Sequence, residues 1–228
     1  MIMHMYTMNL LTLGCYLGIL LGSYGVGTDA IRTHTSDDWK LEKDKDQIQV
    51  YSRRLPNSKL SELKIECTMP GTQSQLVALL SDINNYENVI YKMKSARLVK
   101  RISETELIYY GVSALPWPVS DRDMTVRLTF NYVPATKILY IKGVDVPNLI
   151  APRSGRVRVT DWLANWQVRQ ATSKQMQITY TVRFDPGGEI PAWLDNVAAS
   201  TSAFQSFTLL RESILLPRYQ GKSFAFLQ

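Results

Sequence analysis

Between Asp123 and Tyr132 every second residue is apolar: Met124, Val126, Leu128 and Phe130 alternate with Thr125, Arg127 and Thr129. Side chains on a strand point alternately to its two faces, so this run predicts a half-buried antiparallel strand. It is followed by "KILYIKGVDV", "GRVRVTDWLANWQVRQ" and "QMQITYTVRFDP", separated by short turns. Consecutive strands with short connections pair antiparallel most economically.

Other segments extend this pattern. Ile48, Val50 and Ser52 mark one strand, and Leu60, Leu63, Ile65 and Cys67 a second after a turn at Pro56-Asn57-Ser58. "SARLVKRISETELIYYGVSA" reads as a hairpin turning near Ser103-Glu104. Arg156 to Trp166 has no cleanly apolar face, which predicts a bulge. About six to eight strands are expected from these alternating segments.

Two helices interrupt the strands. Thr72 is placed to cap "QSQLVALLSDI", where Leu76, Leu79, Leu80 and Ile83 recur at helical spacing. Residues 190–216 form the long helix, with Trp193, Val197, Ser200, Phe204, Phe207, Leu210 and Ile214 on one stripe and Pro217 as its stop. The fold class is therefore α+β, a curved antiparallel sheet with a long C-terminal helix packed across it.

Histidine narrows the chemistry. Both copies, His4 and His34, precede the expected folded region, so Ser-His-Asp, Cys-His and His-metal sites cannot be assembled within residues 39–228. No Gly-rich phosphate loop occurs. No catalytic residue, metal or cofactor is assigned. The formal charge is +6, but basic residues are scattered and no nucleic-acid motif is present, so no nucleic-acid partner is expected.

The first 30 residues carry no Lys or Arg and one acid, Asp29. Leu10 to Leu21 is apolar, and small residues Gly22, Ser23, Gly25 and Gly27 follow. This reads as a signal peptide, with retention as an anchor through residues 10–21 as the alternative. Residues 31–38 read as a linker, 39–220 as one domain and 221–228 as a tail. Export to the periplasm or the exterior follows as an expectation. Only Cys67 then remains, so no intramolecular disulfide is available.

Two motifs remain. "PWPVSDRD" spans 116–123, and "DPGGEIPAWLDN" spans 185–196 and leads into the last helix. Together, at this spacing, they resemble the START (StAR-related lipid-transfer) family, and the likeness covers roughly residues 39–220. The resemblance implies a helix-grip fold, with an apolar tunnel between sheet and helix for one sterol, phospholipid or similar lipid. It implies transient contact with membranes and no enzymatic activity. The ligand-binding residues expected on this basis are Trp117, Arg122, Met124, Val126, Leu128, Trp193, Val197, Ser200, Phe204 and Phe207. A solid core would use the same apolar residues, and Asp121, Arg122 and Asp123 also suit a structural corner. The alternative function is a polyketide cyclase or aromatase acting in the same cavity, enlisting Arg122, Tyr109, Tyr110 and Asp145. The loop 143–155, with apolar Val146, Leu149 and Ile150, reads either as a lid or as an ordinary packed loop.

Overall fold

The computed structural model describes residues 39–55, 61–188 and 192–228, the side chains of 61 and 192–198 excepted. The leader, the linker and the turn at 56–58 lie outside the described residues, as do the side chains of Trp193 and Val197.

Among the described residues ten strands form one sheet. They are β1 (Lys40–Lys45), β2 (Ile48–Arg54), β3 (Ser61–Pro70), β4 (Met93–Ser103), β5 (Glu106–Ser113), β6 (Asp121–Val133), β7 (Ile138–Asp145), β8 (Arg156–Arg158), β9 (Thr160–Thr172) and β10 (Gln175–Asp185). Their order is β1-β2-β3-β10-β9-β7-β6-β5-β4, and the short β8 pairs parallel to β6. All the other pairings are antiparallel.

The count exceeds the expected six to eight for two reasons. β1 reads KLEKDK and has no apolar alternation, because it is a largely exposed edge. Lysines on an edge strand discourage pairing with other chains. The segment from Arg156 splits into β8 and β9 at Val159; Asp161, just inside β9, has a φ of +49°, and the β9–β10 register slips between Leu163 and Thr160. The expected bulge is thus present.

Paired residues share a face. One face carries Tyr109, Val126, Leu128 and Phe130, continues through Ile141, Ala164 and Trp166, and reaches Tyr180, Ile65 and Val50. These residues are buried or partly buried and form the core with the helices. Helix α1 (Gln73–Ser81) starts with the expected cap: Gln75 N–H donates to Thr72 Oγ1 at 3.2 Å, and Thr72 N–H donates to Gln75 Oε1 at 2.8 Å. Leu76, Leu79, Leu80 and Ile83 are all buried. A short helix, α2 (Tyr86–Val89), brings Tyr86 edge-on to Tyr109, with ring centroids 5.2 Å apart.

Helix α3 (Ala192–Ser213) packs against β1, β2 and β3. Ser200, Phe204, Phe207, Leu210 and Ile214, on its stripe and just beyond its end, are buried. It stops three residues short of the expected Leu216. Pro217 holds Leu216 extended (φ −62°, ψ 144°), so the last turns loosen before the proline. Residues 221–228, expected as a tail, return to the core through Phe224, Phe226 and Leu227. The Phe226 ring lies 6.4 Å from that of Phe130.

Candidate functional site

The charged triplet at the start of β6 does not act as one cluster. Strand alternation sends Arg122 to one face and its two acidic neighbours to the other. Asp121 accepts from Lys94 Nζ at 2.8 Å. Arg122 is buried and donates to three backbone carbonyls: Nε to Pro186 O at 2.7 Å, Nη2 to Gly187 O at 2.9 Å and Nη1 to Ser120 O at 2.6 Å. The guanidinium therefore ties the Pro-Gly-Gly turn, from which the chain enters α3, to the start of β6. Gly187 is required in that turn. Its φ is +64°, and an added Cβ would lie 2.9 Å from Arg158 O.

Asp123 faces outward and is buried. It receives Arg158 Nε on Oδ1 at 2.7 Å, Arg158 Nη2 on Oδ2 at 3.1 Å and Tyr110 Oη on Oδ2 at 2.8 Å. Burial pulls its pKa upward, but the bonds from Arg158 and Tyr110 and the charges of Arg158 and Arg156 outweigh it, holding Asp123 below the usual carboxylate range. The Nη1 of Arg158 also donates to the carbonyls of Pro147 and Ile150. The loop after β7 is therefore pinned from beneath, while Leu149 on it stays exposed. Both acids and Arg122 thus have structural duties at the corner.

The inner face differs along its length. Toward the C-terminal part of α3 it is solid. The rings of Trp166, Tyr180 and Phe207 lie 4.6, 5.2 and 5.4 Å from one another by pairs, and Lys43 Nζ sits 4.0 Å above the Phe204 ring. Phe204 is thereby placed over β1, and Phe207 over β9–β10.

Burial is less complete for a second group of residues. Met93, Met124, Trp162, Tyr180, Phe184, Ala199 and Ala203 keep accessible surface although they pack against the core. Gly143 and Ala164 are cross-strand neighbours, and the Trp162 ring lies over Gly143 so closely that a Cβ would come within 2.5 Å of it. Tyr109 and Tyr180 lie at depth on this face, and burial drives both phenols well above the ordinary tyrosine range. The nearby Tyr109 adds to the rise at Tyr180. Neither hydroxyl has a hydrogen-bond partner among the described residues.

Of the ten residues expected to bind ligand, Met124, Val126, Leu128, Ser200, Phe204 and Phe207 thus lie between sheet and helix. Arg122 is on the same face but is engaged with the backbone. Trp117 stands apart, 91% exposed on the Pro-Trp-Pro turn. Turn residues outside the strand are not constrained by its alternation, so its direction was not readable. Tyr109, Tyr180 and Trp162 were not among the expected residues. The alternation across "IYYGV" already separates Tyr109 from Tyr110, and could have marked Tyr109 as inward-facing.

A long helix closing over one face of a curved antiparallel sheet defines the helix-grip class. The START domain profile matches residues 32–212, and the chain belongs to the START domain family. An uncharacterized protein of Pseudomonas aeruginosa is 28% identical over 173 residues, covering 76% of this chain and 83% of that one. The phosphatidylcholine transfer protein of Rattus norvegicus is 27% identical, covering 72% of this chain and 78% of its own length. Among solved structures, a STAR-related lipid transfer protein fragment from Xanthomonas axonopodis aligns with a TM-score of 0.70 at 28% identity, covering 78% of this chain and 99% of that one. Human STARD10 shares the fold, with a TM-score of 0.67 at 19% identity over 78% of this chain and 73% of its own.

Proposed function

We propose that the protein binds one lipid or similar hydrophobic molecule between the inner sheet face and the first half of α3, and carries it between membranes. Family membership supports a hydrophobic ligand. The observation that carries this reading is the pair Tyr109 and Tyr180, two deep phenols on the inner sheet face whose hydroxyls have no hydrogen-bond partner among the described residues. An apolar space with a few placed polar groups is the usual form of a small-molecule site. Burying a hydroxyl without a partner costs about 1–3 kcal/mol, and a ligand carbonyl, ether or hydroxyl at this depth would relieve that cost.

Binding rather than catalysis is the reading favoured. Of the groups a cyclase would enlist, Arg122 is committed to backbone carbonyls and Tyr110 to Asp123. Tyr109 holds its proton well above neutral pH, so it cannot serve as the general base that proton abstraction requires. The apolar leader supports delivery outside the cytoplasm, where a carrier would work between membrane surfaces.

The relationship to phosphatidylcholine transfer protein makes a fluorescent phosphatidylcholine the first ligand to try, followed by a sterol. Movement of the probe from donor to acceptor vesicles should rise with protein concentration and be suppressed by excess unlabelled lipid. Neither probe being extracted from vesicles at any protein concentration would sink the proposal.

A further inference from the structure

On the outer face of the sheet, opposite α3, three guanidinium groups gather round one tyrosine. Arg97 is the cross-strand partner of Tyr110, and its Cζ lies 5.4 Å from the ring centroid. Arg153, in the loop before β8, lies 5.7 Å from the same ring. Arg156 Nη1 donates to Tyr110 Oη at 3.0 Å. With Ser95 and Ala96 these residues line a cleft of about 230 Å³. That is below the roughly 300–1,000 Å³ of pockets for drug-sized ligands, and it suits a compact oxyanion.

The charge here is unbalanced. Both oxygens of Asp123 are taken by Arg158 and Tyr110, and Asp121 is paired with Lys94. Arg97 and Arg153 have no hydrogen bond or ion pair among the described residues, and both are exposed. Tyr110 is buried and rigidly held, so it fixes the floor of the cleft and offers its ring to two cations. Guanidinium groups present paired N–H donors that match phosphate oxygens.

We propose that Arg97, Arg153 and Arg156, arranged around Tyr110, form a binding site for a phosphate group, separate from the lipid space on the other face. Inorganic phosphate in solution and a lipid headgroup at a membrane surface offer the same chemistry. The second source would hold the pinned loop and its exposed Leu149 against the bilayer.

The test uses the full chain and the double variant Arg97→Gln/Arg153→Gln. The control, Lys142→Gln/Arg169→Gln, removes the same charge from exposed positions elsewhere on this face. Inorganic phosphate is titrated calorimetrically, and sedimentation is measured with phosphatidylcholine vesicles with and without phosphatidic acid. Free phosphate binding that weakens about tenfold or more in the double variant, and not in the control, supports the site with a soluble source. Binding confined to the phosphatidic acid vesicles, with the same pattern of loss, supports it with a headgroup source. No binding in either arm overturns the proposal, as does an equal loss in the control. Should the double variant lose its thermal transition, Arg153→Gln alone, in a loop, gives the same comparison with a several-fold effect. Vesicle transfer of phosphatidylcholine reads the interior independently, so failure of either reading leaves the other standing.

Discussion

Arg158 grips Asp123 through two hydrogen bonds, Nε to Oδ1 at 2.7 Å and Nη2 to Oδ2 at 3.1 Å, although the residues are 35 apart in sequence. The pair is almost fully buried. Removing one partner of such a pair strands the other charge, which costs about 3–5 kcal/mol. Asp123→Asn should therefore unfold in urea with about 3 kcal/mol less stability than the parent. It should also make the loop around Pro147 and Ile150 more open to proteolysis. A loss within about 0.5 kcal/mol, the range of ordinary surface substitutions, would show that the corner does not depend on this pair.

The same pair sets an acid limit. Because the folded state holds Asp123 below the usual carboxylate range, its contribution is complete above the unfolded pKa of about 4 and is lost as pH falls through the lower folded value. Stability measured from pH 7 downward should fall below about pH 4. Asp123→Asn should fall less steeply there. Parallel curves for the two proteins would contradict the assignment.

Much of this architecture was readable in the sequence. The alternation Met124–Phe130 identified the inner face of β6, and Thr72 identified the start of α1. Other parts were not local. The pairing of β3 with β10 joins segments more than a hundred residues apart, and no spacing within either strand announces it. It nevertheless determines that α3 lies over β1, β2 and β3. β1 was missed because an exposed edge needs charge rather than alternation. Arg122 and Asp123 were recognisable as a corner, but their partners Pro186, Gly187 and Arg158 became neighbours only through the fold.

Ser200 is buried on α3, near the partly buried Ala199 and Ala203. Ser200→Trp should fill the proposed lipid space and abolish uptake of fluorescent phosphatidylcholine. The melting temperature should shift by no more than about 4 °C, equivalent to about 1 kcal/mol for a chain of this size. In a close-packed core the same change would cost about 1–3 kcal/mol or more. A large thermal loss would place Ser200 in solid core. A stable variant with unchanged uptake would put the lipid elsewhere.

Tyr180→Phe removes a deep hydroxyl with no hydrogen-bond partner among the described residues. Stability without ligand should hold or rise slightly, while lipid affinity should weaken several-fold, in keeping with one lost hydrogen bond of about 1 kcal/mol. Equilibrium binding of a fluorescent phospholipid reads the second effect and urea unfolding the first. A marked loss of stability with affinity intact would mean that the hydroxyl serves the fold.

The leader makes a separate prediction. Protein recovered from its own host should begin between residues 23 and 31, where small residues follow the apolar run. Amino-terminal sequencing decides this, and soluble cytosolic protein beginning at Met1 would contradict export.

The central claim, a single lipid held between sheet and helix, is tested most directly by native mass spectrometry of protein purified gently from its own host. The account predicts a complex heavier than the chain by one lipid, which is released on denaturation and identified in the organic extract. Protein that is ligand-free throughout, and that takes up no lipid from vesicles before a second measurement, would contradict it.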